Sequence, residues 1–75
     1  MLGNELRKAR EAAGLTQEQL AYAAGVDRTY ISQVECEKKS PTIKMLFKIC
    51  GPMSIAPSKI IAKVERDSVR RKSSR

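Results

Sequence analysis

The chain has 75 residues, of which 41% are hydrophobic, three are aromatic and none is histidine. This length allows one small domain, and the lack of histidine removes the usual general base and the usual zinc ligand, which excludes most catalytic designs. The net charge of +7, from 15 basic and 8 acidic residues, suits nucleic acid or an anionic membrane surface as a partner.

Two helices are predicted in the first 25 residues. An amphipathic first helix is indicated by apolar residues that recur at three- and four-residue steps, namely Leu2, Leu6, Ala9 and Ala13. Gly14 stands where a C-terminal glycine would end this helix. Thr16 and Gln19 have the spacing of a capping box, so a second helix is expected to begin at Gln17 and to end at Gly25.

A third and a fourth helix follow. Asp27 is a suitable N-cap for a third helix over about 28–35. Thr42 can cap a fourth helix, whose predicted inner face consists of Ile43, Leu46, Phe47 and Cys50. Gly51-Pro52 must end this helix, because proline lacks the amide hydrogen and disfavours helical backbone in the residue before it.

The C-terminal part divides into a helix and a basic tail. Pro57 is well placed as the first residue of a fifth helix. From residue 68 onward a single valine interrupts serine, arginine and lysine, so we expect a mobile basic tail over 68–75. The chain is therefore predicted to be all-α, with a five-helix domain over 1–67 and no convincing strand.

Residues 17–36 follow the residue pattern of a helix-turn-helix, in which two short helices cross at a steep angle. A very small residue, Ala21, stands where the helices would cross, and Gly25 provides the positive φ that the turn needs. The positions that must be apolar are filled by Leu20, Ala24, Val26, Ile31 and Val34. The agreement of all these positions predicts a helix-turn-helix formed by the second and third helices.

At this point the chain resembles a known family. GLTQEQLAYAAGVDRTYISQVE followed by KKSPTIKMLFKI is similar to the Cro/repressor (XRE-type) helix-turn-helix family of phage and bacterial regulators, over roughly residues 3–64. DRTYIS with the downstream PTIK–LFKIC run is also similar to the small controller proteins of restriction–modification systems. The resemblance implies a compact lambda-repressor-like domain whose third helix enters the major groove of DNA and whose second helix crosses the backbone.

The outward face of the third helix consists of Arg28, Thr29, Ser32 and Gln33, which we predict to read bases. Arg28 could pair with guanine O6 and N7, Gln33 could read adenine or guanine edges, and Thr29 could meet a thymine methyl group. The alternative is an ordinary solvated helix face.

A second set of residues is predicted to contact phosphate. In members of the family that the chain resembles, a glutamine at the position of Gln17 braces the backbone, whereas the alternative is a simple polar helix terminus. Tyr30 could stack on sugar–phosphate or pack over the second helix. The remaining candidates, which a solubilising loop would also explain, are Lys38, Lys39, Ser40, Thr42 and Lys44.

The resemblance also implies a structural ion pair and exposes two departures from the family pattern. Family members often hold an arginine at the position of Arg10 in a buried pair with the glutamate that ends the third helix, here Glu35. Glu37 stands where the family usually has glycine, so it must keep a positive φ at a cost of ~1 kcal/mol or the cap must rearrange. Gly51-Pro52-Met53 interrupts the fourth helix earlier than is usual in the family.

The predicted function is that of a sequence-specific, double-stranded-DNA-binding transcriptional regulator, which binds a palindromic operator as a homodimer. Two modules one helical turn apart would multiply the specificity of one short reading helix. Apolar residues in excess of the core's needs are candidates for the dimer interface, namely Met53, Ile55, Ile60, Ile61 and Val64. The alternative is a protein-interaction module, such as an antitoxin, that binds DNA only together with a partner.

An enzyme is not expected, because the sequence has no carboxylate pair in an apolar setting, no Gly-rich phosphate loop and no nucleophile–base pair. No cofactor, metal ion, membrane or small-molecule effector is predicted. Cys36 and Cys50 form no CxxC pair, residues 1–11 show no signal-peptide pattern, and no apolar run approaches ~20 residues. We therefore expect a cytoplasmic protein with free thiols, with a redox switch at Cys36 as an alternative to an inert thiol.

Overall fold

The computed structural model describes residues 2–73, in which the chain forms five α-helices. They are α1 (Leu2–Ala12), α2 (Gln17–Ala24), α3 (Arg28–Glu35), α4 (Ile43–Cys50) and α5 (Pro57–Ser73). Residues 2–73 contain no strand, and the prediction of an all-α, five-helix domain is confirmed.

The N-terminal caps of the short helices follow from single residues. The Thr16 hydroxyl accepts a hydrogen bond from the Gln19 N–H at 3.0 Å, and the Gln19 Oε1 accepts one from the Thr16 N–H at 2.9 Å, which completes the capping box. At the start of α4 the Thr42 hydroxyl accepts from the Met45 N–H at 3.1 Å. Asp27 has the extended backbone of an N-cap before α3, but its side chain makes no cap hydrogen bond.

Four helix ends share one backbone closure, the Schellman motif. After each of α1 to α4 one residue adopts a positive φ, and these residues are Gly14 (74°), Gly25 (72°), Glu37 (64°) and Ser54 (55°). The next N–H then bonds to the carbonyl five residues earlier, in the pairs Leu15–Arg10, Val26–Ala21, Lys38–Gln33 and Ile55–Cys50. Glycine adopts this conformation freely, whereas a residue with a side chain is strained there by roughly 1–2 kcal/mol.

Every helix contributes to a single hydrophobic core, which consists of Leu6, Leu20, Ala21, Ile31, Val34, Leu46, Ile49, Cys50, Met53 and Ile60. The predicted inner face of α4 was wrong in part. Leu46 and Cys50 are buried, but Ile43 is 66% exposed and Phe47 is 62% exposed. The reason is that Ile49 packs inward, which centres the buried face of α4 away from Ile43 and Phe47.

Two of the predicted dimer-interface residues belong to the core, which corrects that prediction. Met53 is 5% exposed and Ile60 is fully buried, so neither side chain is available to a second subunit. Gly51 keeps a right-handed helical backbone, and the chain continues through a turn over 51–54 after α4 ends. Met53 therefore continues the buried face of α4.

The predicted tail begins within α5. The helix continues to Ser73, six residues beyond the predicted end of the domain at residue 67. Arginine and lysine are good helix formers, so a helix whose first turns are packed can continue through residues of this kind. Residues 74–75 lie outside the described part of the chain, and the mobility of residues 68–75 stays a prediction.

Candidate nucleic-acid interface

The helix-turn-helix is formed by α2 and α3, which pack against each other more extensively than any other pair of helices in residues 2–73. Ala21 is 3% exposed. The N–H groups of Gly25 and Val26 bond to the carbonyls of Tyr22 and Ala21, at 3.2 and 2.9 Å. These local bonds set the direction in which α3 leaves the turn.

The four candidate base-reading residues lie on the side of α3 that faces away from the core. Ile31 and Val34 are each 2% exposed and hold the opposite side. The reading set divides into two exposed residues at the start of the helix and two half-buried residues further along, namely Arg28, Thr29, Ser32 and Gln33. None of the four is buried by the rest of the described chain, so this polar face is open to a ligand.

The start of α3 favours an anion. Its first turn contains no acidic residue, and the Asp27 side chain does not occupy the first N–H groups. The unpaired N–H groups of a helix N-terminus carry partial positive charge, and Arg28 adds a full charge beside them. This end of α3 can therefore receive a phosphate or an acceptor-rich base edge.

Five further candidate phosphate contacts lie at the surface, in the segment between α3 and α4 and at the start of α4. They are Lys38, Lys39, Ser40, Thr42 and Lys44. Thr42 uses its hydroxyl oxygen as the acceptor in the α4 cap, which leaves its O–H free to donate. Tyr30 is half-buried and packs against the core, with the Lys39 Nζ at 5.8 Å from the ring centroid. Its partial exposure on α3 is compatible with a phosphate contact, and the role of Tyr30 stays a prediction.

A buried polar cluster holds the far end of α3. The Arg10 Nε and Nη2 donate to the two Glu35 carboxylate oxygens at 2.7 and 3.1 Å, and the Arg10 Nη1 donates to the Leu15 carbonyl at 2.7 Å. The side chains of Arg10 and Glu35 are only 11% and 3% exposed. The hydrogen bond to Glu35 raises the pKa of Arg10 further above its ordinary value, against the opposing effect of burial. The cluster thus fixes the end of α3 to α1.

Gln17 belongs to the same cluster, which the sequence did not indicate. Its side-chain amide donates to the Glu35 Oε1 at 3.0 Å. The first residue of α2 and the last residue of α3 are therefore bound to each other. An amide nitrogen has two hydrogens, so Gln17 can keep this bond and still donate to a phosphate.

Glu37 closes the rear of α3 against the start of α1. Its carboxylate accepts hydrogen bonds from the backbone N–H groups of Gly3 at 2.8 Å and Asn4 at 3.3 Å. Desolvation by burial raises the pKa of Glu37, but these two hydrogen bonds are among the interactions that lower it, and the net direction is downward. The negative charge of Glu37 is thus directed at the N-terminus of α1, where it is favourable.

Gly3 is a structural residue that sequence reasoning missed. A Cβ at this position would lie 2.3 Å from the Val34 carbonyl oxygen and 2.7 Å from that of Glu35. The backbones of α1 and α3 therefore approach too closely for any side chain here. The one available signal was a glycine in the first turn of a helical pattern, which often marks such a contact.

The described residues give no sign of a metal site or a membrane segment. Within residues 2–73 no group of three or more Cys, Asp or Glu side chains could hold a metal ion. No helix in that range has both the length and the hydropathy needed to cross a bilayer. Cys36 is exposed and Cys50 is buried, and burial raises the pKa of the Cys50 thiol, which makes it less reactive.

Comparison with known proteins extends these observations. A family model described as helix-turn-helix matches residues 6–60. Control protein C.MunI of a Mycoplasma species is 35% identical over 66 residues, which cover 87% of this chain and 89% of that protein.

Two solved structures are similar to the present one. The restriction–modification controller protein C.AhdI from Aeromonas hydrophila superposes with a TM-score of 0.76 at 34% identity, over 79% of this chain and 89% of that one. SinR, a master regulator of biofilm formation whose structure was solved in complex with DNA, superposes with a TM-score of 0.77 at 26% identity, over 81% of this chain and 98% of that one.

Proposed function

The chain belongs to the XRE-type helix-turn-helix family of DNA-binding, non-enzymatic transcriptional regulators, and from this premise we propose that it binds a specific palindromic operator as a homodimer. In this mode α3 enters the major groove and α2 crosses the backbone. Its similarity to C.MunI and C.AhdI makes the promoter of a restriction–modification system the first operator to test. We expect it to act in the cytoplasm of a bacterium or of a phage host.

The observation that carries this proposal is the uncovered polar face of α3 on a rigid support. Ile31 and Val34 anchor one side of the helix in the core, and the bonds of Glu35 anchor its end. Only the face with Arg28, Thr29, Ser32 and Gln33 is left for a partner. Base edges in the major groove present the donor and acceptor patterns that such side chains read.

Phosphate contacts would give most of the affinity. The candidates lie at the start of α2, on α3, in the segment between α3 and α4 and at the start of α4, namely Gln17, Tyr30, Lys38, Lys39, Ser40, Thr42 and Lys44. Neutralising phosphates releases counterions, so binding should weaken steeply as salt rises. The basic residues of the segment 68–75 would add to this sequence-independent term.

The homodimer requires an exposed apolar surface, and α4 and α5 have one. Ile43 and Phe47 lie one turn apart on α4 and are 66% and 62% exposed, and Ile61 on α5 is 45% exposed. Of the residues predicted from the sequence, Ile61 and the half-buried Ile55 and Val64 remain candidates. Large exposed apolar residues that cluster on a surface commonly mark an interaction site.

The decisive experiment mixes the purified chain alone with a random pool of DNA duplexes and identifies the duplexes that it binds. The salt concentration is ~150 mM, because lower salt strengthens sequence-independent phosphate contacts. We expect a palindromic sequence with half-sites about 34 Å apart. Replacing Arg28 or Gln33 by alanine should cost about 1–3 kcal/mol of binding and relax the preference at one base pair. Replacing Lys44 by alanine is the matched control, because it should weaken binding to all duplexes alike.

Two results would contradict the proposal. Enrichment of no sequence by the chain alone would favour the antitoxin-like alternative, in which DNA is bound only with a partner. Loss of residues 68–75 should reduce affinity for every duplex equally, so a changed operator preference after this truncation would contradict the role given to the tail.

The dimer is tested separately. Replacing the exposed Phe47 by aspartate should give a monomer in sedimentation equilibrium and leave the unfolding temperature nearly unchanged. The control is Tyr22→Asp, because Tyr22 is 89% exposed and lies on α2. If the unmodified chain sediments as a monomer at tens of micromolar, the homodimer is refuted. This concentration is about the upper range at which a functional regulator would need to dimerise.

A further inference from the structure

A groove lies between α1 and α5, away from the proposed DNA-binding face, and encloses about 790 Å³. Four of its ten lining residues are alanines, and the half-buried Ile55 adds a larger apolar side chain, whereas Met53 lies at its buried floor. Because alanine side chains are short, they leave the outer side of the contact between α1 and α5 recessed. The groove is therefore a ready place for larger apolar side chains from another molecule.

The edge of the groove is positively charged. Lys59 and Lys63 lie one turn apart on α5, and Lys8 lies across from them on α1. Lys8 is 3.8 Å from the Glu5 carboxylate, which neutralises part of its charge. No described carboxylate lies within ion-pair distance of Lys59 or Lys63, so these two charges are available to an anionic partner.

The groove lies on a different side of the chain from α3, and of the remaining dimer-interface candidates only Ile55 lines it. Lys8 and Arg10 are two residues apart, or about 200° around α1, and Arg10 points to α3. Lys59 and Ile61 are likewise on opposite flanks of α5, so the groove is not on the flank that carries Ile61. A partner could therefore occupy the groove while the chain is bound to DNA as a dimer.

We propose that the groove between α1 and α5 binds an acidic amphipathic helix of a partner protein. Such a helix would lay apolar side chains spaced at i, i+3 or i+4 and i+7 into the alanine-walled space. Carboxylates one turn apart on its flank would match the spacing of Lys59 and Lys63. Pockets for small molecules usually enclose their ligand almost completely. This groove is open along one side, so it suits a helix lying across it better than a small molecule.

The probe is a synthetic peptide of about 15 residues, long enough to populate a helix. It carries leucine at the helical repeat, glutamate on both flanks and a fluorescent label at one end. Binding to the full chain is followed by fluorescence anisotropy at ~150 mM salt, and the contact surface is mapped by backbone amide shifts in NMR. The control peptide has the same charge, with every leucine replaced by serine.

Two variants of the chain test the groove directly. The double variant Lys59→Gln/Lys63→Gln should weaken peptide binding about fivefold, as expected for two exposed ion pairs. Ala12→Phe should fill the groove and abolish binding. The matched control for charge is Arg7→Gln/Lys48→Gln, since both residues are exposed and neither lines the groove. Circular dichroism and operator binding of each variant show whether the fold is retained.

The expected result is saturable binding of the leucine peptide, amide shifts confined to α1, the 53–56 turn and α5, and a ternary complex with operator DNA. The proposal is overturned if the serine peptide binds equally well or if the two lysine substitutions have no more effect than the control pair. Amide shifts on α3, or displacement of the peptide by DNA, would also overturn it, because the peptide would then be acting as a DNA mimic. Binding of laurate in the groove without binding of the peptide would assign the site to small anionic amphiphiles instead. Saturable binding, the effects of the substitutions and the amide shifts do not require operator binding, whereas the ternary complex does, so failure of this proposal and failure of the proposed function are distinguishable.

Discussion

The two turns that flank α3 contain the same backbone motif but depend on different parts of the chain. Before α3, Gly25 adopts a φ of 72° and all the supporting bonds come from α2. After α3, Glu37 adopts a φ of 64°, and its carboxylate binds the start of α1, 34 residues earlier at Gly3. The first closure is local, whereas the second is a tertiary contact.

This difference shows how a departure from glycine can be tolerated. A side chain at positive φ is strained by roughly 1–2 kcal/mol, but an exposed carboxylate at a helix N-terminus contributes roughly 0.3–1 kcal/mol of stabilisation. The cap that Glu37 provides for α1 therefore offsets part of the strain at Glu37. The rear of α3 is held by charged groups, and the front by backbone conformation.

The largest effect is expected where the rear contacts are most buried. Replacing Arg10 by methionine should lower the free energy of unfolding by about 3–5 kcal/mol, because it leaves the Glu35 charge buried without its cation. Urea denaturation measures the loss. The double variant Arg10→Met/Glu35→Met should recover much of it, and a double variant as unstable as the single one would contradict the unpaired-charge explanation.

A smaller loss is expected where α1 and α3 touch. Replacing Gly3 by alanine should cost about 1–3 kcal/mol, since the added Cβ overlaps two backbone carbonyl oxygens that cannot move independently. Thermal unfolding followed by circular dichroism measures this. Asn4→Ala is the control, because Asn4 is exposed and only its backbone takes part in the contact. Equal stability of the two variants would show that the helices can separate freely.

At the front of α3 the expected loss is smaller again. Gly25→Ala should cost about 1–2 kcal/mol through the positive φ alone, since a Cβ at Gly25 has no atom within 4 Å. The comparison with Gly3→Ala separates backbone strain from steric overlap. If Gly25→Ala were the more damaging of the two in the same unfolding measurement, the local closure would be the more important one.

The smallest effect concerns the pH dependence at Glu37. Its pKa is lowered in the folded chain, so its stabilisation is present above the unfolded value of about 4.3 and is lost as the pH falls through the folded pKa. Glu37→Gln should therefore lower the free energy of unfolding by about 0.5 kcal/mol at neutral pH. The difference from the parent should shrink once the pH falls below about 4.3 and should vanish below the folded pKa of Glu37. Parallel curves for Glu37→Gln would refute the cap.

The same division between local and tertiary causes decides what the sequence could predict. The starts of α2 and α4 depend on a hydroxyl three residues from its donor, as at Thr16 and Thr42, and were predicted correctly. The orientation of α4 depends on which of Ile43, Phe47 and Ile49 the other helices can accept, and that cannot be read from spacing alone.

For the candidate site, the reading face of α3 follows from periodicity, since Ile31 and Val34 must point inward. The resemblance to the family indicated that Arg10 pairs with Glu35, whereas nothing in the sequence indicated that Gln17 binds the same carboxylate. Nor could it show that Gly3 allows close contact with α3. These contacts join residues that are far apart in the chain, so no local pattern encodes them.

The bond between Gln17 and Glu35 has a consequence for how DNA recognition could change during evolution. The Glu35 carboxylate at the end of α3 accepts hydrogen bonds from Gln17 at the start of α2 and from Arg10 of α1, so α2 and α3 cannot easily pivot or slide relative to each other. A variant that recognises a different operator should therefore arise by exchange of side chains on an α3 of fixed orientation. Relatives that have lost this shared acceptor would be free to tilt the helix instead, and their preferences should shift at several base pairs at once.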